Sequence, residues 1–406
     1  MASSLKDVLL IGYGAVGAVY SLILKKSGRA RVTVVARSNY DAANAHGMEF
    51  RSRKYGHVQG WRPDRLFPNV EQALDRPYAY VLLANKAIPE IQRTPALLRP
   101  LLSAPYADAH PQPTYVLFQN GLGVEADLYE ALKTLRPGEE PRIISTAVWI
   151  GTGLVEKNVV EHNEFDRVSM GIYRPTPKPS PPSAAEAALL ADFAGMLAAG
   201  GTDVTVVPEI QRVKFAKNMW NGVLGASAAL SRSSLRAFFR PPHLEPGREG
   251  TEPTPEEMEG ESAREVLEAR ESSASVKATE AIPHASPAIG AYTIPFLYDA
   301  LTEVYELGNK LFPPEGEVAG LDPEVVQETL ANTARLHARP DSTHKPSMLV
   351  DVEMGRPMEV EHVVGEVVRM GRRAGVSMPR METLYALLLV MQNQFVRKHK
   401  EGKAQL

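Results

Sequence analysis

The sequence predicts an α/β chain in two parts: a domain of alternating strands and helices over residues 1–207, then an all-helical domain over residues 208–406. Three observations predict it. An apolar run, Val8 to Ile11, breaks into three spaced glycines, Gly12, Gly14 and Gly17, and then takes up helical spacing. A second strand, Arg31 to Arg37, follows that helix and closes a βαβ unit of about 30 residues. Past Pro208 the strand pattern ends, and Phe215, Trp220, Val223 and Leu224 form an apolar stripe at helical spacing.

The first element, Gly12-Tyr13-Gly14-Ala15-Val16-Gly17, has the order of a Rossmann-type phosphate turn. Gly12 allows the turn, Gly14 lets a pyrophosphate approach the backbone, and Gly17 lets helix and strand pack closely. The phosphate then sits on free N–H groups where the helix starts. At the end of the second strand an NAD site places an acid for the ribose 2′-OH, whereas this chain offers Arg37 and no acid beside it. A guanidinium there suits a 2′-phosphate and favours NADP; the alternative is an ordinary solvated strand-end arginine.

Composition narrows the chemistry. The chain has 406 residues, a net charge of −3, 44% hydrophobic residues and no cysteine. Two sizeable cores are possible, while disulfides, thiolate catalysis and thiolate metal sites are excluded. Nucleic acid and membrane are not expected partners: the charge is slightly negative and no apolar run reaches the ~20 residues of a span. The N-terminus runs into the first strand without a signal pattern, which points to the cytoplasm. No metal is expected.

Two further strands end in polar residues: the run Tyr80 to Lys86, which ends in the lysine, and the run Thr114 to Gly123, which ends in Asn120 and glycines. Ligands of open parallel sheets lie outside the carboxyl ends of the strands, so Lys86 and Asn120 fall on the rim of the glycine turn. Their plainer readings are a surface lysine and a turn-forming Asn-Gly. A helix is expected from Pro89 to Leu102, then strands at 143–150, 154–161 and 167–172, with His162 structural. A helix over 184–199 and a strand over 202–207 complete the domain.

In the second half, Gln211 to Ala229 reads as a helix carrying Lys217, Asn221 and Gly225 at i, i+4 and i+8. A lysine and an amide one turn apart can hold a polarised carbonyl. Lys214 and Asn218 share that spacing, so periodicity does not choose between the pairs. Residues 241–287 are rich in Pro, Glu and Ser and lack apolar periodicity, which predicts a disordered acidic insertion with a transient helix over 261–277. Helices follow at 294–312 and 322–336. Pro346 opens a short helix with Ser347 in its first turn, and Pro357 opens another with Glu359 in its first turn. A last helix spans 380–394, ahead of a basic tail.

Taken together the chain resembles the ketopantoate reductase (2-dehydropantoate 2-reductase) family, and within it looks like a eukaryotic, fungal branch. The resemblance rests on Gly12-x-Gly14-Ala15-Val16-Gly17, Arg37, Lys86, Asn120-Gly121, Lys217-x-x-x-Asn221, Ser347-Met348-Leu349-x-Asp351 and Gly355-Arg356-Pro357-x-Glu359. It implies NADPH-dependent reduction of ketopantoate to pantoate in pantothenate biosynthesis. An aromatic residue precedes the family's catalytic lysine by two positions, as Phe215 precedes Lys217, so the resemblance implies Lys217 as proton donor and leaves Lys214 second. It further implies that Asn120 and Asn221 contact cofactor or substrate, that Ser347 binds substrate, and that Glu359 acts near the cofactor and Lys217. Two positions depart from the family pattern, Gly225 and Val364, where amides are usual. A reductase of another 2-oxo acid or ketone is therefore the alternative, and a non-catalytic NADP-binding sensor the second. A homodimer is compatible with the sequence.

Overall fold

The computed structural model describes residues 5–176, 180–245, 247, 273–316 and 318–404. The chain divides into two compact units, Met1–Lys214 and Phe215–Leu406.

The first unit is built on one ten-stranded sheet. Its strands are β1 (Lys6–Ile11), β2 (Ala30–Val35), β3 (Met48–Ser52), β4 (Gly56–Trp61), β5 (Arg65–Phe67), β6 (Tyr80–Leu83), β7 (Thr114–Leu117), β8 (Ile143–Glu156), β9 (Val159–Ile172) and β10 (Asp203–Val206). The order β4-β3-β9-β8-β7-β6-β1-β2-β5, with β10 also on β9, contains the doubly wound run β5-β2-β1-β6-β7-β8. Chain order reverses direction at β1, whose parallel neighbours are β2 and β6. A sheet covered on both faces needs apolar residues at every position, and β1 is Val-Leu-Leu-Ile for that reason. Val8 and Leu10 enter one core with Ala18, Ile23, Phe193 and Leu197, while Leu9 and Ile11 enter the other with Leu98, Leu101, Leu128 and Leu132. Helix α1 (Ala15–Lys26) and helix α2 (Ala184–Gly200) cover the first of these faces.

Several expected elements differ. Only Thr94–Leu97 is helical in the stretch expected as a helix from Pro89 to Leu102, because Pro95 and Pro100 each remove a donor inside it. Expected strands at 143–150, 154–161 and 167–172 are one hairpin of two 14-residue strands. Gly151 lies where the register shifts, between Ile150 and Thr152, whereas Gly153 pairs with Glu161, and the ladder continues past both. His162 is built into this sheet, its Nδ1 2.8 Å from Ser52 Oγ, and burial lowers its pKa.

In the second unit, helix α3 (Ile210–Trp220), which begins in the first, passes into a wide π turn, Asn221–Gly225, and then into α4 (Ala226–Ser231). Further helices are α5 (Ile294–Leu311), α6 (Val325–Ala338), α7 (Ser347–Glu353), α8 (Glu366–Ala374) and α9 (Pro379–Ala404). Further π turns are Ile289–Thr293, which leads into α5, and Glu361–Gly365, which leads into α8. Glu359 is therefore not in a first helical turn but one residue ahead of the helix. The last helix does not stop near 394; it runs through the basic tail, which holds no proline.

Most of the acidic tract expected as an insertion over 241–287 lies outside the described residues. Its C-terminal part is folded: Ala274–Thr279 is a helix, and Val276 and Ile282 are buried, so apolar side chains too widely spaced to show a period still reach the core. No helix among the described residues is long and apolar enough to cross a membrane.

Candidate active site

The strand register sets the geometry of the first unit's rim. Ile11 pairs with Val35 and with Leu83, and Leu83 pairs with Leu117, so the last residues of β2, β1, β6 and β7 form one row. The loops that leave this row carry Gly12 to Gly17, Arg37, Lys86 and Asn120.

In the glycine turn each glycine has a separate physical reason. Gly12 has φ +103°, and a Cβ on it would lie 2.4 Å from the Asn85 nitrogen, so only glycine lets the turn pass the loop after β6. A Cβ on Gly17 would lie 1.9 Å from the Gly12 carbonyl oxygen, which fixes how closely α1 approaches the turn. Gly14 is different: it is exposed, its backbone is extended, and nothing lies within 4 Å of an added Cβ. No side chain caps α1 at Gly14, so the N–H groups of Ala15, Val16 and Gly17 begin a helix beside open space. A pyrophosphate fits that arrangement in charge and in room.

Tyr13 is buried, and Asn39 Nδ2 donates to its carbonyl oxygen at 2.7 Å, tying the loop after β2 to the glycine turn. Arg37 is exposed two residues earlier. Gln119 Nε2 donates to the Asn85 carbonyl at 3.1 Å and joins the loops after β6 and β7, on which Lys86 is exposed and Asn120 half-buried. Asn39 and Gln119 were not singled out in the sequence; their position just past strand ends is the signal that marks them.

Lys214 and Lys217, indistinguishable by spacing, have different surroundings. The Lys214 ammonium donates to Glu125, which also accepts from the Ser145 hydroxyl, and all three are buried. Burial would raise the Glu125 pKa, but the Lys214 charge and the hydrogen bonds outweigh it and hold the carboxyl below its usual range. Lys217 is half-buried, as is Asn221 at the head of the π turn.

The second unit also brings Gly225 against the residue that precedes Ser347. Pro346, the residue before Ser347, lies 3.8 Å from where a Gly225 Cβ would be, which is ordinary contact distance. Ser347 is exposed at the start of α7, and Glu359 is 6% exposed. Val364 is fully buried in the Glu361–Gly365 π turn. Asn218, which sequence reasoning weighed only as a partner for Lys214, instead donates to the Val363 carbonyl at 2.8 Å.

Comparison with known proteins decides the family. The model of ketopantoate reductase PanE/ApbA matches residues 8–175, and that of the ketopantoate reductase PanE/ApbA C terminal matches residues 291–392. The chain belongs to the ketopantoate reductase PanE/ApbA family. It is thus an oxidoreductase of that family, with a Rossmann-like first domain and a helical second one. An uncharacterized protein of Saccharomyces cerevisiae is 25% identical over 97% of this chain and 95% of its own length. Among solved structures, 2-dehydropantoate 2-reductase from Methylococcus capsulatus matches with TM-score 0.65 and 23% identity, over 96% of this chain and 97% of that one. A D-mandelate dehydrogenase solved with NADH and anilino(oxo)acetate matches with TM-score 0.64 and 17% identity, over 96% and 99%. At these identities the structural matches speak for the shared fold.

Proposed function

We propose that this member of the ketopantoate reductase PanE/ApbA family is an NADPH-dependent 2-oxo acid reductase whose first substrate is 2-dehydropantoate, reduced to pantoate in pantothenate biosynthesis. The observation that carries the reading is the common row of Ile11, Val35, Leu83 and Leu117, from which the glycine turn, Arg37, Lys86 and Asn120 all extend.

In this reading Gly12 to Gly17 hold the pyrophosphate, Arg37 meets the 2′-phosphate, and Lys86 and Asn120 bind the remaining polar groups of the cofactor. The reduced nicotinamide, when bound, supplies the hydride for the C2 carbonyl. Lys217 donates the proton to the carbonyl oxygen as negative charge grows there, a role worth about 10²- to 10⁴-fold in rate. The buried ion pair of Lys214 with Glu125 supports Lys217 as the donor, since Lys214 already has a buried counter-charge. Asn120, Asn221 and Ser347 orient the substrate, and Glu359 positions Lys217 or the cofactor.

A second reading, reduction of a different 2-oxo acid, is favoured by Gly225 and Val364. Gly225 offers no side-chain donor beside Pro346 and Ser347, and Val364 is an apolar buried residue. A polar substrate loses discrimination where a partner amide is missing. The fold is shared with a D-mandelate dehydrogenase and so does not itself select the acid. The test is the rate of NADPH oxidation with ketopantoate against other 2-oxo acids, compared as kcat/KM. Preference for ketopantoate supports the first reading, and turnover only of another acid supports the second.

A further inference from the structure

Two π turns lie against each other in the second unit, and one buried amide joins the helix ahead of the first to the second. Asn218, 3% exposed, sits on α3 one residue after Lys217 and three before Asn221. Its Nδ2 donates at 2.8 Å to the carbonyl oxygen of Val363, in the middle of the Glu361–Gly365 turn. The N–H of Val363 in turn donates at 3.0 Å to the carbonyl of Glu359. Two hydrogen bonds therefore connect the helix of Lys217 to the backbone of Glu359.

The backbone at that end is fixed from a second side. Gln392, 2% exposed on α9, receives the Met358 N–H at 2.9 Å and returns its own amide N–H to the Met358 carbonyl at 2.9 Å. With Met358 held to α9, the bond from Asn218 sets how α3 lies against the segment.

The close approach has its own requirement. A Cβ on Gly222 would lie 3.2 Å from the Val363 oxygen, tighter than most such contacts. Asn218 Oδ1 is buried and has no hydrogen-bond partner among the described residues. An amide whose oxygen goes unpaired carries a desolvation cost, and the hydrogen bond from its N–H is what offsets that cost here.

We propose that Asn218 is a positioning residue, whose bond to the Val363 carbonyl holds the Lys217 helix at the separation from Glu359 that proton delivery needs. This rests on the assignment of Lys217 as proton donor. A misplacement of about 1 Å at a catalytic group can cost on the order of 10²-fold in rate. Lys217 is joined to Asn218 by one peptide bond, so a shift of α3 moves its ammonium.

The test uses the full chain as wild type, Asn218→Asp, Gly222→Ala and Lys217→Ala. It measures kcat and KM for the 2-oxo acid that the wild type turns over, from about pH 5 to about pH 9, with NADPH affinity by fluorescence and Tm. In Asn218→Asp an ionised carboxylate meets the Val363 oxygen and repels it, whereas the protonated acid donates to it. Burial raises the pKa of the introduced carboxyl. The expected result is a kcat, taken as a ratio to wild type at the same pH, that is about 10-fold or more low at neutral pH and recovers as pH falls, with NADPH affinity retained. Gly222→Ala should lower kcat by roughly 3-fold at all pH, and it keeps the test open if the aspartate variant does not fold. Normal kcat in both folded variants, with Lys217→Ala inactive, overturns the role of Asn218 alone. A loss in Asn218→Asp that follows Tm and not pH also overturns it. Normal turnover by Lys217→Ala, or a wild type that reduces no 2-oxo acid, overturns the assignment on which it rests.

Discussion

Lys214 and Glu125 form an ion pair inside the first unit, with side chains 5% and 2% exposed, three residues ahead of Lys217 in the chain. One helix thus carries two lysines in different surroundings. A buried carboxylate with a single cationic partner is costly to break, because the charge left behind has no water to turn to.

Removing either lysine should therefore give opposite signatures. Lys214→Met leaves Glu125 buried and unpaired and should destabilise the protein by about 3–5 kcal/mol, seen as a large fall in Tm. Lys217→Ala should leave Tm nearly unchanged and lower kcat by about 10²- to 10⁴-fold. Thermal denaturation and initial rates on the two variants check both.

Acid stability should follow two groups with depressed pKa values. The Glu125 carboxyl is held below its ordinary value in the fold, so the unfolded chain binds its proton more readily. Its contribution is complete above about pH 4.3 and is lost as pH falls through the lowered folded value. His337 is fully buried, and burial, then the charges of His344 and Arg240, push its pKa down from 6.5 to about 4. Its neutral form is favoured in the fold, so stability is full above pH 6.5 and declines as pH falls towards about 4. Tm measured against pH should flatten over that window in His337→Phe, and an unchanged slope would contradict the assignment.

The glycines of the turn should separate folding from binding. Gly14→Ala meets open space in an extended backbone and should keep Tm while weakening NADPH by about 10-fold or more, since the Cβ stands where the pyrophosphate is expected. Gly12→Ala forces φ +103° and a 2.4 Å approach to Asn85, and should lower stability whether or not cofactor is added. Calorimetry and NADPH titration on both variants distinguish the effects.

Arg37→Ala should raise KM for NADPH by about 10-fold or more and that for NADH by no more than about 2-fold, because a charge-assisted pair to the 2′-phosphate exists only in the former. Equal weakening of the two cofactors would remove the 2′-phosphate role.

Much of the first unit was legible because its signals are local. Apolar runs such as Val8 to Ile11 mark strands buried on both faces, and the glycine turn states its backbone needs in three residues. The β8–β9 hairpin was not legible, since Gly151 gives the same local signal at a bulge as at a strand end, and Gly153 is held within the ladder. The choice between Lys214 and Lys217 lay beyond periodicity because each has an asparagine nearby at i+4. What sets their surroundings apart is Glu125, 89 residues away from Lys214. Asn218 shows the same limit, with its partner Val363 145 residues distant. The π turns that surround these residues have no sequence period of their own, and so neither helix register could be followed past Asn221 or Glu361.

The most direct measurement of the central claim is the initial rate of NADPH oxidation with ketopantoate, on the wild type and on Lys217→Ala side by side. Turnover by the wild type that falls about 10²-fold or more in the variant, with NADPH still bound, is the expected result. Equal rates in the two proteins, or tight NADPH binding with no turnover of ketopantoate or any other 2-oxo acid, would contradict it.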